Sequence, residues 1–132
     1  MKTLTLTRHH LRQMVAHVAG LAPQEACGLL AGTGNVAQHI FFISNQAQSP
    51  TRYLMNPVEQ LRAFEWIDEN HLDLLAIFHS HPRGPQTVSP TDIAQAAYRV
   101  AYLVLSPVNG DWRARGFWIE DNAYREVELN VV

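Results

Sequence analysis

Residues 72–92 read LDLLAIFHSHPRGPQTVSPTD. Leu72 to Phe78 is an almost continuous apolar run, as expected of a central strand covered on both faces. It delivers two histidines, His79 and His81, one residue apart. Pro82 stops the strand at that point, because proline cannot donate to a ladder. A loop with Gly84 and Pro85 follows. Ser89-Pro90-Thr91-Asp92 then opens a helix, with serine as cap, proline at the first helical position and an acid at the third. Strand, loop and helix in this order point to an α/β chain with a site at the C-terminal end of a buried strand.

Upstream, Leu4 and Leu6 alternate with threonines and predict a short strand. Leu11, Met14, Val15 and Val18 fall at helical spacing from Thr7 to about Ala19, with Thr7 as N-cap and Gly20 as the stop. Glu25 to Gly32 begins a buried strand, Thr33-Gly34-Asn35 turns, and Val36 to Ile43 returns as its hairpin partner. Ser44 to Asn56 is a polar loop, the kind of segment that lines binding sites. Pro57 opens a helix with Leu61, Phe64, Trp66 and Ile67 on its apolar face, and with Glu59, Glu65, Asp68 and Glu69 towards water. Downstream, a helix runs from Pro90 to about Tyr98, and strands occupy Val100 to Leu105, Trp112 to Ile119 and Ala123 to Val131. The Asn109-Gly110 pair marks a hairpin. The order predicts a mixed sheet flanked by helices, in one domain over residues 1–132.

The chain has 132 residues, a hydrophobic fraction of 47% and a net charge of −2. That is enough for one core and lacks the basic footprint of a nucleic-acid binder. The single cysteine, Cys27, excludes an intramolecular disulfide and fits a reducing compartment. The first residues lack the apolar centre of a signal peptide, and no apolar run reaches the roughly 20 residues of a membrane span. The expectation is a soluble cytoplasmic protein with no membrane or nucleic-acid partner.

Side chains alternate across a strand, so His79 and His81 share a face, about 7 Å apart along the chain. Two imidazoles and a returning carboxylate can supply three ligands of a tetrahedral zinc site with the fourth position open. Asp92, 11 positions after His81, is the candidate carboxylate, and it reads equally well as a helix-capping acid. The two readings are compatible, because a cap aims a first-turn side chain. Zinc lowers the pKa of bound water from about 15.7 towards 7 and polarises a carbonyl, so such a site suits amide hydrolysis. A carboxylate must then carry the proton to the leaving amine. Glu25 stands at the start of an apolar strand, where a bare charge is unfavourable without a role, although a strand-end glutamate can also be solvated.

The pattern His79-Ser80-His81-Pro82, six residues, Ser89, two residues, Asp92 resembles the JAMM motif of the MPN-plus zinc metalloproteases. The segment Pro23 to Gly32 resembles that family's glutamate-bearing segment, and Tyr53-Leu54-Met55-Asn56-Pro57 resembles its small bacterial members. The resemblance implies that His79, His81 and Asp92 bind one Zn²⁺ per chain, that Glu25 is the general base, and that Ser89 stabilises the oxyanion. It implies a curved mixed β-sheet flanked by helices, with a cytidine-deaminase-like architecture. It also implies a peptidase or isopeptidase that cuts after the C-terminal Gly-Gly of a ubiquitin-like or sulfur-carrier protein. Tyr53 and Asn56, in the 44–56 loop, are the candidate substrate-binding residues. The chain lacks the longer insertions of deubiquitinating relatives. The carrier, the leaving group and the oligomeric state stay open, and a homodimer is compatible with the sequence.

Plainer readings stand beside these. A JAMM-like scaffold could hold metal or a partner without turnover, but scaffold members typically lose motif residues and none is lost here. A zinc deaminase would need a Cys-x-x-Cys pair, which one cysteine cannot supply. Cys27 could approach the metal or be a small core residue. His9, His10, His17, His39 and His71 lack ligand-like grouping and read as surface or helix-face residues. Arg113 and Arg115 share a strand face that is either solvated or open to an acidic partner.

Overall fold

A computed structural model describes residues 1–132. The elements are β1 (Thr3–Leu6), α1 (Arg8–Leu21), β2 (Cys27–Thr33), β3 (Val36–Ile43), α2 (Pro57–Glu69), β4 (Asp73–Ser80), α3 (Pro90–Gln95), β5 (Ala101–Val108), β6 (Asp111–Glu120) and β7 (Ala123–Val131). The strands lie in the order β1-β3-β2-β4-β5-β6-β7. This is the expected mixed sheet, with β4 antiparallel to β2 and parallel to β5. Its curvature goes further than expected. β1 pairs in parallel with β7 and touches β3 at Thr5–Val36, so the sheet closes into a barrel.

Alternation along the central strands separates two cores. Leu30, Phe78, Leu103 and Leu105 join Met14 and Val18 of α1 in one core. Leu29, Ile77 and Val104 join Met55 of the preceding loop and Ala63 of α2 in the other. Gly28 is needed where β2 pairs with Phe78 of β4. A Cβ there would collide with the Phe78 ring and with the carbonyl of Phe41. No helix is long and apolar enough to cross a membrane.

Several boundaries differ from expectation for local reasons. α1 runs past Gly20, which faces open space, and ends at Ala22 before Pro23, where proline disfavours further helix. α3 stops at Gln95 instead of reaching Tyr98, and the Tyr98 N–H donates to the Tyr102 hydroxyl as the chain turns towards β5. β5 extends through Pro107 to Val108. Its pairing with β4 ends at Leu105, so the missing N–H of Pro107 breaks no ladder on that side. Asn109 and Gly110 both take positive φ, as the hairpin signal requires. α2 buries Ala63 and Ile67, whereas Leu61 and Trp66 point outward. Trp66 stacks on His39, with ring centroids 4.4 Å apart. Glu59 is half-buried, and its carboxylate accepts from the Ser44 N–H.

Candidate metal centre

β4 places Ile77 and His79 on the α2 side of the sheet. His79 sits between Cys27 of β2 and Val104 of β5, fully buried. His81 follows one residue beyond the strand. Its N–H donates to the Leu105 carbonyl at 2.8 Å, which ties it to β5. Its ring Nδ1 pairs with the Pro85 carbonyl at 2.9 Å. A carbonyl only accepts, so Nδ1 carries the proton and the Nε2 of the neutral ring presents a lone pair inward.

The third group arrives with α3. The Ser89 hydroxyl accepts from the Asp92 N–H at 3.0 Å, and Asp92 Oδ2 accepts from the Ser89 N–H at 2.8 Å. This reciprocal capping box fixes the first helical turn. The same Oδ2 lies 3.1 Å from Nε2 of His79 and 3.1 Å from Nε2 of His81, and the two Nε2 atoms are 3.0 Å apart. The cap and the candidate ligand are therefore one carboxylate.

Three acceptor atoms thus form a near-equilateral triangle. Ligands at about 2.0–2.1 Å around a tetrahedral ion stand about 3.3 Å apart, so a slight opening of this triangle would admit one. Protons alone satisfy it poorly, because His81 has committed its Nδ1–H to Pro85. The donor set of two imidazoles and one carboxylate fits a divalent metal. Burial alone would push the Asp92 carboxyl up, but the two histidine rings against its oxygen hold it well below the usual carboxylate range. Burial lowers His79. Burial would lower His81 too, but its bonds to Asp92 and Pro85 outweigh this and raise it.

Glu25 approaches from two residues before the start of β2. It is 4% exposed, and its Oε1 has no hydrogen-bond partner. A carboxylate oxygen of Glu25 and ring nitrogens of His79 and His81 all lie within 4.8 Å of one another. Burial, reinforced by the negative charge of Asp92 and opposed by His81, raises the Glu25 carboxyl to about 7. An unpaired carboxyl with that affinity can accept and return a proton near neutral pH.

The remaining expected residues separate. Ser89 uses one acceptor lone pair on the cap, and its own O–H proton remains free to donate. The Tyr53 ring stacks on His79 at 4.6 Å and 25°. Asn56 caps α2, with Oδ1 accepting from the N–H groups of Val58 and Glu59. Cys27 is opposite His79 in register, but its thiol points to the Ile43 carbonyl at 3.4 Å and is pushed up to about 12, mainly by burial. It packs as a core residue.

Two positioning residues carry no sequence signal. The Ser80 hydroxyl, between the histidines, accepts from the Ala26 N–H at 2.8 Å and ties the Glu25 segment to β4. Asn45 Nδ2 donates to the Glu25 carbonyl at 2.9 Å and to the Arg52 carbonyl at 3.1 Å, while its Oδ1 accepts from Ala47 and Leu54. One amide thereby organises the loop that carries Tyr53. His10 also has a fixed task, because its Nδ1 accepts from the Thr7 N–H at the start of α1.

Two clefts lie near the centre, one opening on it and one separated from it by the Tyr53 ring. One, of about 200 Å³, is lined by Glu25, His81 and Ser89 together with Thr51 and Arg83. The other, of about 310 Å³, runs past Tyr53 and Met55 to Tyr98 and Tyr102.

The chain is 40% identical over 102 residues to a probable TtuB-protein conjugate cleaving protease of Thermus thermophilus, covering 76% of this chain and 68% of that one. It is 33% identical to a desampylase of Pyrococcus furiosus, covering 98% and 91%. It is 34% identical to a CysO-cysteine peptidase of Mycobacterium tuberculosis, covering 90% and 84%. The solution structure of a Desulfitobacterium hafniense protein superposes with a TM-score of 0.88 at 32% identity, over 98% of this chain and 92% of that one. A JAB1/MPN domain protein from Archaeoglobus fulgidus shares the fold at a TM-score of 0.63 and 17% identity, with both chains wholly covered. Residues 7–118 match the family described as prokaryotic homologs of the JAB domain, and the chain belongs to that family.

Proposed function

We propose that this protein is a zinc-dependent peptidase that hydrolyses the peptide or isopeptide bond after the C-terminal Gly-Gly of a ubiquitin-like or sulfur-carrier protein. The observation that carries the reading is the triangle of His79 Nε2, His81 Nε2 and Asp92 Oδ2, with the unpaired carboxyl of Glu25 beside it. Two imidazoles and one carboxylate are a donor set that suits zinc over magnesium or calcium. The names of the relatives, a cleaver of TtuB-protein conjugates and a CysO-cysteine peptidase, support the substrate class.

Zinc held by His79, His81 and Asp92 would polarise the scissile carbonyl and make water nucleophilic near neutral pH. Glu25 takes a proton from the attacking water and passes it to the leaving nitrogen. Its raised proton affinity serves both halves of that transfer. Ser89 donates its free O–H to the oxygen that gains charge in the tetrahedral transition state. Tyr53 packs flat against His79 and offers its groove to the extended tail of the carrier, whose glycines can pass close to the wall. Asn56 is spent on the cap of α2 and does not line that groove. A silent scaffold would need neither a buried unpaired Glu25 nor an open cleft beside it.

The test is turnover of carrier–Gly-Gly adducts, read by mass spectrometry together with metal content. One zinc per chain and release of the carrier with a free Gly-Gly end are expected. Full zinc loading without cleavage across several carriers would favour the scaffold.

A further inference from the structure

The Glu25 carboxyl is not tethered at Oε1, which meets no hydrogen-bond partner. Its direction therefore follows from the main chain that carries it. Both main-chain groups of Glu25 are bonded, and both bonds go to the 44–56 loop. The N–H donates to the Ser49 carbonyl at 2.8 Å, and the carbonyl accepts from Asn45 Nδ2 at 2.9 Å. The next residue, Ala26, is held by the metal strand instead. Its N–H donates to Ser80 Oγ at 2.8 Å, and its carbonyl accepts from the Ser80 N–H at 3.0 Å. The base thus stands at a junction, tied on one side to the strand of the histidines and on the other to the loop.

The same Asn45 amide reaches Tyr53. Its Nδ2 also donates to the Arg52 carbonyl at 3.1 Å, and its Oδ1 accepts from the Leu54 N–H at 2.9 Å, so both residues that flank Tyr53 are bonded to it. A fourth bond, from the Ala47 N–H at 3.0 Å, closes a local turn. The Tyr53 ring stacks on His79, and the loop walls both clefts. Pro50 and Thr51 line the cleft that contains Glu25, and Arg52 to Met55 line the other. One half-buried side chain therefore joins the main chain of the base to the wall beside the metal centre. A purely local task, folding the loop, is the plain alternative. Loss of the amide would then change how substrate binds without changing how fast bound substrate reacts.

We infer that Asn45 is a positioning residue that couples the substrate wall to the base: it aims Glu25 only while the Tyr53 segment is in place, so a tail seated against Tyr53 also fixes the carboxyl. The inference rests on the peptidase reading above. The two ends of the amide divide the work. The donor end holds the Glu25 and Arg52 carbonyls, and the acceptor end holds the loop backbone at Ala47 and Leu54. A misplacement of about 1 Å can slow a reaction by about a hundredfold, which sets the size of the effect.

The experiment measures kcat and KM of the zinc-loaded protein on one carrier–Gly-Gly adduct, with the zinc content and thermal unfolding of each variant. Asn45→Ala should keep its zinc and a cooperative unfolding transition, and should lose about tenfold to a hundredfold in kcat. Asn45→Asp keeps the acceptor for Ala47 and Leu54 but loses both donors, so its kcat should fall as far while its KM rises less. It carries the same test if Asn45→Ala does not fold. Tyr53→Ala should lower kcat in the wild type and lower it no further in the Asn45→Ala background, where the link is already cut. A raised KM at unchanged kcat in the Asn45 variants overturns the coupling and leaves the peptidase reading standing. So do kcat losses that multiply in the Asn45–Tyr53 double variant, and so does a kcat loss that only follows lost zinc, the mark of a structural role. No cleavage by the zinc-loaded wild type removes both readings.

Discussion

Glu25 shows what a buried, unpaired carboxyl does to its own protein. Its carboxyl is raised from 4.5 to about 7, so the folded state favours the protonated form. That contribution is fully present below the unfolded value and is lost as pH rises through 7. In the metal-free protein the charged carboxylate should therefore destabilise the fold at pH 8, on the order of 3 kcal/mol. Glu25→Gln should be the more stable metal-free protein at pH 8, and the two should converge towards pH 4.5, measured by denaturant unfolding. Equal stability at pH 8 would mean that the carboxylate is solvated. The same variant, loaded with zinc, should lose at least about a hundredfold in turnover, because a positioned base contributes roughly 10² to 10⁴. His81→Ala should abolish zinc binding; full retention, measured by metal analysis, would sink the ligand set. At this scale the motif was legible because its groups are near in sequence. Glu25 was half legible, as a charge at the edge of an apolar run. Ser80 and Asn45 were not, because their partners lie 54 and 20 residues away.

The decisive element is the six-residue helix α3, whose first turn does two tasks with one oxygen. Asp92 Oδ2 accepts from the Ser89 N–H and faces both histidines. Ser89→Ala should cost about 1 kcal/mol of capping. By loosening the aim of Asp92 it should also weaken zinc affinity by about tenfold or more, read by competition with a chelator. Unchanged affinity would mean that the loop alone sets Asp92. The competing sequence readings, cap or ligand, describe one geometry: the capping box is present, and it turns the same Asp92 oxygen towards both histidine rings. The helix ends, by contrast, were misplaced. Gly20 looked like a stop, but the steric effect of Pro23 on Ala22 ended α1. The apolar face of α2 was also misread at Leu61 and Trp66, since aromatic stacking on His39 satisfies Trp66 outside the core.

For the whole molecule, closure of the barrel is the feature that local pattern could not give. It depends on β1 meeting β7, as where Asn130 donates to the Thr5 hydroxyl across 125 positions. Both cores are complete without a metal, with Phe78 and Leu103 in one and Ile77 and Val104 in the other. Metal removal should therefore leave the fold intact and lower its Tm; at a thousandfold excess of zinc over Kd the bound ion adds about 4 kcal/mol. Gly28→Ala acts on this same framework, where β2 pairs with β4, and should destabilise by about 1–3 kcal/mol through overpacking against Phe78. The central claim is that one metal in the His79–His81–Asp92 triangle drives hydrolysis of the carrier bond. The most direct measurement strips the protein of metal and titrates zinc back while following cleavage of a carrier–Gly-Gly adduct by mass spectrometry. The account predicts no cleavage in the stripped protein and full recovery at one equivalent of zinc. Cleavage undiminished after stripping would contradict it.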